Sequence, residues 1–284
     1  RIGFMQRERV SENVYWFQSE TYAQVSAGVI VGPQWAVVID TLMPQETLQI
    51  RDFIENKLEL PVRYVINTHY HADHSWGNCL FPKATVIAHD LCRKMLVEKT
   101  PSALEIASEE NPLYKRLSIK PPQITFRKGT FSLRIGKKHL KLFPAPGHSP
   151  DGIAVLIEED RILFSGDAFM PLPFIVEGDL DQYIETAQYF TTLGLENIIQ
   201  GHGDIILRGE IDKNITYLKA IQKAVKTARR RKNPVEVLDS IGVEACGKSR
   251  ILLGGLASEL HKRNLRALYR QSVEKDDLSD ANSI

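Results

Sequence analysis

One run of seven residues, 68–74 (Thr-His-Tyr-His-Ala-Asp-His), constrains this chain more than any other stretch. It places four candidate metal ligands, His69, His71, Asp73 and His74, within six residues. His69 and His71 are two apart and point to the same side of an extended segment. Asp73 and His74 follow where the chain is expected to turn into a helix, so they face a second point nearby. One loop can therefore contribute ligands to two metal ions. Imidazole and carboxylate ligands favour zinc first, with iron or manganese as alternatives.

Three further candidate ligands lie far along the sequence. His148, Asp167 and His202 each lie in or beside a glycine-containing turn that follows an apolar, strand-like run. Such turns place a side chain at the end of a sheet, where binding sites are commonly built. The sequence therefore predicts that these three residues join the histidine run.

In this order, the set resembles the two-metal form of the metallo-β-lactamase superfamily over roughly residues 12–205. Asp40, which closes a strand-like run, matches an early aspartate of that family. The resemblance implies an α/β fold, a four-layer αββα sandwich with the metals at one edge between the sheets. It also implies the ligand sets: His69, His71 and His148 for metal one, Asp73, His74 and His202 for metal two, and Asp167 as the bridge.

The resemblance further implies two divalent metal ions with a bridging hydroxide that attacks the substrate. Five neutral imidazoles and two carboxylates leave net positive charge at such a centre, which favours a carboxylate-bearing substrate or a developing oxyanion. The resemblance also implies a second role for Asp73, as a proton shuttle to the leaving group. Asp40 is expected to support a metal-bound histidine, because such histidines usually donate their second N–H to a carboxylate or carbonyl.

Composition mainly excludes certain classes of protein and partner. With 284 residues, 43% hydrophobic and 25% charged, the chain has the composition of an ordinary globular protein. Its net charge of +1 gives no bias toward nucleic acid or anionic membrane, and no apolar run reaches the ~20 residues of a membrane helix. Three scattered cysteines and the lack of a secretory signal favour free thiols and a cytoplasmic location. Because the sequence begins at Arg1 and not at Met, it leaves open whether an N-terminal leader has been removed.

The pattern along the chain predicts mixed helices and strands. Strands are expected at residues 14–17, 25–31, 35–39, 63–67, 85–88, 124–126, 139–143, 153–157, 162–164 and 198–199. Helices are expected at residues 45–58, from 90, and at 180–193, 211–232 and 251–273. We expect a catalytic domain at residues 1–210 and a C-terminal helical extension at 211–284 packed on it, with a frayed end.

Several other residues have two readings. His89, His139 and His261 are expected to be structural or exposed rather than ligands. The basic stretch from Lys226 to Lys232 is expected to be a solvated helix end, with binding of an acidic ligand as the alternative.

The residues beside the predicted centre raise the question of the substrate pocket. The apolar segment 169–174 either lines the pocket or packs under a loop. Trp76 stands where many relatives have glycine and would pack beside metal two or narrow the pocket. Tyr183 or Tyr189 would orient the substrate of a lactonase.

The leading functional hypothesis is a metal-dependent hydrolase of an ester, thioester, lactone or lactam, similar to glyoxalase II and lactonase relatives. Its substrate would be a small molecule, anionic or acyl, with no nucleic-acid or membrane partner and with the oligomeric state open. Alternatives on the same fold are a mononuclear iron-dependent sulfur dioxygenase and a phosphodiesterase or nuclease. A scaffold protein with a structural metal is a third class.

Overall fold

Two β-sheets form the centre of this protein, whose computed structural model describes residues 5–175 and 177–281. The first sheet has seven strands in sequential order, β1 to β7. Their bounds are β1 Met5–Ser11, β2 Val14–Ser19, β3 Ser26–Val31, β4 Ala36–Ile39, β5 Val62–Ile66, β6 Thr85–His89 and β7 Ile124–Phe126. β1 to β4 pair antiparallel, and β4 to β7 pair parallel.

The second sheet has six strands in the order β13-β12-β11-β10-β9-β8. Their bounds are β8 Phe131–Ile135, β9 Lys138–Pro144, β10 Ile153–Ile157, β11 Ile162–Gly166, β12 Asn197–Gln200 and β13 Ile205–Leu207. Only the β11–β12 pair is parallel. The ends of β4, β5 and β11 all lead into loops that carry candidate site residues.

Helices cover the outer faces of both sheets. Their bounds are α1 Pro44–Asp52, α2 Ala72–Ser75, α3 Asp90–Glu98, α4 Thr100–Glu110, α5 Leu180–Thr191, α6 Glu210–Ala228, α7 Pro234–Asp239 and α8 Ala257–Ala281. α1 continues as a π-helical turn, Phe53–Lys57. Short 3₁₀ segments occur at Trp76–Leu80, Pro112–Arg116, Val243–Cys246 and Leu252–Gly255. No helix in the described part of the chain is both long and apolar enough to cross a bilayer.

Alternation along the strands separates two cores. In β4, Val37 and Ile39 face the second sheet, whereas Ala36 and Val38 belong to the core under α1. The two sheets approach closely at Gly28, where an added Cβ would lie 2.3 Å from Phe164 Cε1. Burial on both faces of both sheets gives the four-layer αββα arrangement, as predicted.

The C-terminal helices share a core with the second half of the sandwich. Buried side chains of α6, α7 and α8 pack with Leu172, Ile175 and Tyr183, which belong to the segment after β11 and to α5. The last helix begins later than predicted, at Ala257 rather than 251. Leu253 and Gly254 have positive φ angles, which an α-helix does not accommodate.

The C-terminal part also buries a lysine, and this predicts a pH dependence of stability. Lys248 is 9% exposed and donates a hydrogen bond to Asn214. Burial lowers the pKa of Lys248 from its usual 10.5 to about 8, with Glu210 raising and Lys213 lowering it. The unfolded chain therefore binds more protons between pH 8 and 10.5, so stability rises with pH across that window. Below pH 8 the cost is on the order of 2–3 kcal/mol.

Lys248→Met should remove this cost while leaving the amide oxygen of Asn214 unpaired. We expect the difference in unfolding free energy between variant and wild type to fall by about 2 kcal/mol from pH 7 to pH 10.5. Urea denaturation at both pH values measures that difference. A difference that does not change with pH would show that folding does not lower the pKa of Lys248.

Candidate metal centre

The histidine loop lies at the carboxyl edge of the first sheet, directly after β5. β5 lies between β4 and β6 and is parallel to both, so the end of β4, with Asp40, lies at the same edge. α2 begins at Ala72, so the chain does turn from extended to helical between His71 and Asp73. This change of direction places Asp73 and His74 in a different cluster from His69 and His71.

Four side chains form a first cluster: His69, His71, His148 and Asp167. His71 Nδ1 lies 3.0 Å from His69 Nε2 and 3.1 Å from His148 Nε2. Asp167 Oδ2 lies 3.2 Å from His148 Nε2 and 3.6 Å from His69 Nε2. Ligands at zinc bond lengths of about 2.0–2.1 Å form a tetrahedron with edges of about 3.4 Å. The cluster therefore has the dimensions of a four-ligand metal cage.

Asp73, His74 and His202 form a second cluster. His202 Nε2 lies 3.5 Å from Asp73 Oδ2, and His74 Nε2 lies 3.8 Å from it. The other oxygen of Asp167, Oδ1, lies 3.3 Å from His74 Nε2 and 3.5 Å from His202 Nε2. Each carboxylate oxygen of Asp167 thus faces a different cluster.

Buried atoms without partners show that the residues fit a cation. Among the described residues, His74 Nε2 and Asp167 Oδ1 are buried and have no hydrogen-bond partner. Leaving such an atom unsatisfied costs about 1–3 kcal/mol. A metal ion between them would satisfy both atoms at once.

The protonation states favour ligation in the first cluster. Burial lowers the pKa of His148 to about 4 and that of His69 well below its usual value. Both imidazoles are therefore neutral at pH 7, with a lone pair for a metal. Burial alone would raise the pKa of Asp167, but the surrounding imidazoles, His202 first, hold it well below its usual value.

His74 behaves differently. Burial lowers its pKa, yet Asp73, Asp167 and Asp40 together raise it well above the usual value. These carboxylates favour the protonated imidazole, so a metal ion at His74 would compete with a proton there.

The second ring nitrogens are held by partners outside the clusters. Asp40 Oδ2 lies 2.8 Å from His74 Nδ1, and the backbone N–H and hydroxyl of Thr68 donate to Asp40 at 2.7 and 2.6 Å. His202 Nδ1 donates to the carbonyl of Ala23 at 2.8 Å, and His148 Nδ1 donates to that of Phe174 at 2.7 Å. These bonds orient Nε2 of each ring toward the clusters. Asp40 therefore contacts the ring nitrogen of His74 that points away from the second cluster.

Glu177 was not among the residues predicted from the sequence. Its carboxylate lies 3.6 Å from His71 Nε2, accepts a hydrogen bond from the Tyr70 hydroxyl, and pairs with Lys99 at 3.2 Å. Glu177 follows Asp167 by ten residues in an irregular loop, where no motif or periodicity indicates it.

Residues considered for the substrate pocket mostly pack elsewhere. Phe169 and Leu172 belong to hydrophobic cores, while the half-buried Phe174 has its ring 6.2 Å from that of His148. Trp76 is buried and packs edge-on against Tyr114 at 5.8 Å. The buried Tyr183 donates its hydroxyl to the Asp167 carbonyl at 2.6 Å, so it supports that loop.

The remaining candidates lie outside the clusters. His89 accepts a hydrogen bond from the Leu91 N–H at the start of α3, His139 pairs with Glu159, and His261 contacts Tyr217. Tyr189 is 49% exposed. The basic stretch from Lys226 runs past the end of α6, and all of its side chains except that of Ala228 are exposed. Cys79, Cys92 and Cys246 are free.

Known proteins resemble this chain in sequence and in fold. The model of the metallo-β-lactamase superfamily matches residues 21–202. A β-lactamase-like protein 2 homolog of Caenorhabditis elegans is 26% identical over 148 residues, 51% of this chain and 43% of that protein. The thioesterase pkgB of Emericella nidulans is 27% identical over 173 residues, 60% of this chain and 43% of that protein. The chain thus spans less than half the length of either relative.

The fold comparison agrees with the sequence comparison. A metallo-β-lactamase from Pontibacter korlensis superposes with a TM-score of 0.62 at 19% identity, covering 76% of this chain and 99% of that one. The matched range, residues 21–202, includes all seven cluster residues and Asp40. The chain belongs to the metallo-β-lactamase superfamily.

Proposed function

We propose that this protein is a binuclear metallohydrolase that cleaves an ester, thioester, lactone or lactam. The observation that carries the proposal is the position of Asp167, whose two oxygens face the two ligand clusters separately. In this proposal His69, His71 and His148 hold one divalent ion, Asp73, His74 and His202 hold the other, and Asp167 bridges them. Zinc is the favoured metal, because imidazole and carboxylate in four-ligand cages suit it.

Two divalent ions in these cages would supply a nucleophilic hydroxide at neutral pH and polarise the substrate carbonyl. The seven side chains contribute only two negative charges, those of Asp73 and Asp167. The pocket would therefore stay positive toward a developing oxyanion or an anionic substrate group. This charge balance supports acyl-transfer chemistry on a small molecule.

Exposure indicates the side from which a substrate would approach. The side chains of His71 and Asp73 are 29% and 13% exposed, whereas those of His69 and His74 are 2% and 0% exposed. A substrate would reach the centre across His71 and Asp73. Asp73 would then be placed to pass a proton between the leaving group and solvent.

A thioester is the substrate class we would test first, because one relative is named a thioesterase. Chromogenic ester, thioester and lactone panels with the zinc-loaded protein are expected to show turnover that a chelator abolishes and added zinc restores. We expect about two zinc ions per chain by elemental analysis. One iron per chain with oxygen consumption, or turnover that survives complete metal removal, would overturn the proposal.

A further inference from the structure

We propose that the C-terminal helix α8 positions the histidines of the first cluster through the strap, defined here as Pro173–Ile175 with Glu177 and Gly178. The inference rests on the proposed function only in taking the first cluster as a metal site. It assigns positioning roles to Asn264 on α8 and to Glu177 in the strap.

One side of the strap faces the first cluster. The carbonyl oxygen of Phe174 accepts the His148 Nδ1 hydrogen bond at 2.7 Å. Glu177 Oε2 lies 3.6 Å from His71 Nε2, and Lys99 and the Tyr70 hydroxyl hold this carboxylate in place. The strap therefore contacts the outer nitrogens of two of the three histidines in this cluster. Such partners fix the ring orientation and raise the basicity of the ligating nitrogen.

The other side of the strap is held by α8. The fully buried amide of Asn264 accepts from the Ile175 N–H at 2.7 Å and donates to the Pro173 carbonyl at 2.6 Å. These two bonds lie on either side of Phe174, so they fix the direction of the carbonyl that His148 uses. Asn264 also donates to the Tyr217 hydroxyl at 3.0 Å, which holds the amide in this orientation.

Two more residues of α8 reach the strap. Gln271 donates to the Gly178 carbonyl at 3.1 Å, and the guanidinium of Arg263 lies 5.0 Å from the Phe174 ring centre. Gln271 follows Asn264 by seven residues, about two helical turns, so both lie on one face of α8. α8 thus contacts both ends of the strap, at Pro173–Ile175 and at Gly178.

The second cluster is supported from a different part of the molecule. His74 is held by Asp40 after β4, and His202 by the Ala23 carbonyl in the loop before β3. Loosening the strap should therefore weaken the first metal site selectively, whereas Asp40→Asn should weaken the second.

The test measures metal binding without substrate. Wild type, Asn264→Ala and Glu177→Gln are titrated with zinc against a chromogenic chelator, and the histidine ring nitrogens are followed by ¹⁵N NMR. We expect one of two zinc sites to weaken by about 10–100-fold in each variant. The His71 and His148 resonances should lag behind those of His74 and His202 during the titration. Arg266→Ala is the matched control, since Arg266 also lies on α8 but its two hydrogen bonds run to Asp239 on α7.

The outcomes separate this inference from the hydrolase proposal. Unchanged affinity at both sites, equal weakening of both, or a shift confined to His74 and His202 would overturn the strap's role. Melting curves of the metal-free proteins check folding. If Asn264→Ala does not fold, Glu177→Gln still tests the strap because Glu177 is exposed, and Gln271→Ala tests its contact with α8. A wild type with two zinc ions and no turnover would reject the hydrolase proposal and leave this inference intact.

Discussion

Asp167→Ala is expected to abolish hydrolysis, lowering kcat by at least about a thousandfold, and to reduce the bound metal. Its oxygens lie 3.2–3.6 Å from the Nε2 atoms of His148, His69, His74 and His202. Removing this carboxylate takes one anionic oxygen from each cluster. The positive charge of the bound metal ions would then lack a buried counter-charge. The same reasoning predicts a similar loss for His69→Ala.

The fold should survive Asp167→Ala, because the bonds that hold its loop are made by the backbone. The Asp167 carbonyl accepts the Tyr183 hydroxyl, and Gly201 N donates to the Gly166 carbonyl. Kinetics on the zinc-reconstituted variant, elemental analysis and circular dichroism provide the measurements, with the exposed Asp212→Ala as control. If the folded variant kept wild-type turnover and two metal ions, the ligand assignment would be wrong.

The local part of the candidate site is predictable from sequence because chain geometry alone brings its residues together. His69 and His71 are two apart, and α2 then turns Asp73 and His74 to the second cluster. His148, Asp167 and His202 were predicted from their glycine-containing turns after strand-like runs, and their division between the two clusters came from the order of the family's motifs, since no local spacing links them. The structure brings all seven together, and ligation itself stays a proposal.

Some of the strands can be predicted from the sequence and others cannot. Runs of buried residues such as β4 and β10 are predictable, because their composition is apolar throughout. β1 was not predicted, since this edge strand carries mostly exposed polar residues, and β13 has only three residues. β8 alternates apolar and polar residues, a signal typical of a strand, and should have been predicted.

The roles of Glu177 and the Phe174 carbonyl could not be predicted from the sequence, for a different reason. Glu177 lies in an irregular loop, and a backbone carbonyl has no side-chain signature at all. Both groups contact His71 or His148 because tertiary packing against α8 places the strap there. The residues that make this packing are about ninety positions apart in sequence, as in the hydrogen bond between Ile175 and Asn264. Contacts of this kind can be identified only from the three-dimensional structure, which shows the strap beside the clusters.

Gly201→Ala should be nearly as damaging as loss of a ligand, although Gly201 contributes no side chain. A Cβ at this position would lie 1.9 Å from Asp167 Oδ1 and 2.7 Å from the carbonyl carbon of Gly166. Gly201 cannot retreat easily, because its N–H donates to the Gly166 and Phe169 carbonyls and its carbonyl accepts from Ser26. The added methyl group must therefore displace the carboxylate that faces both clusters.

We expect Gly201→Ala to lower kcat by at least about a hundredfold, since that oxygen can no longer face His74 and His202. Overpacking should also destabilise the protein by about 1–3 kcal/mol. Gly209→Ala is the matched control: Gly209 lies just before α6, and an added Cβ there meets no atom of the described residues within 4 Å. Steady-state kinetics of the zinc-loaded variants, zinc titration and denaturant unfolding measure these effects. Equal behaviour of the two would mean that Asp167 has room to move, and that the tight approach of Gly201 does not fix the carboxylate between the clusters.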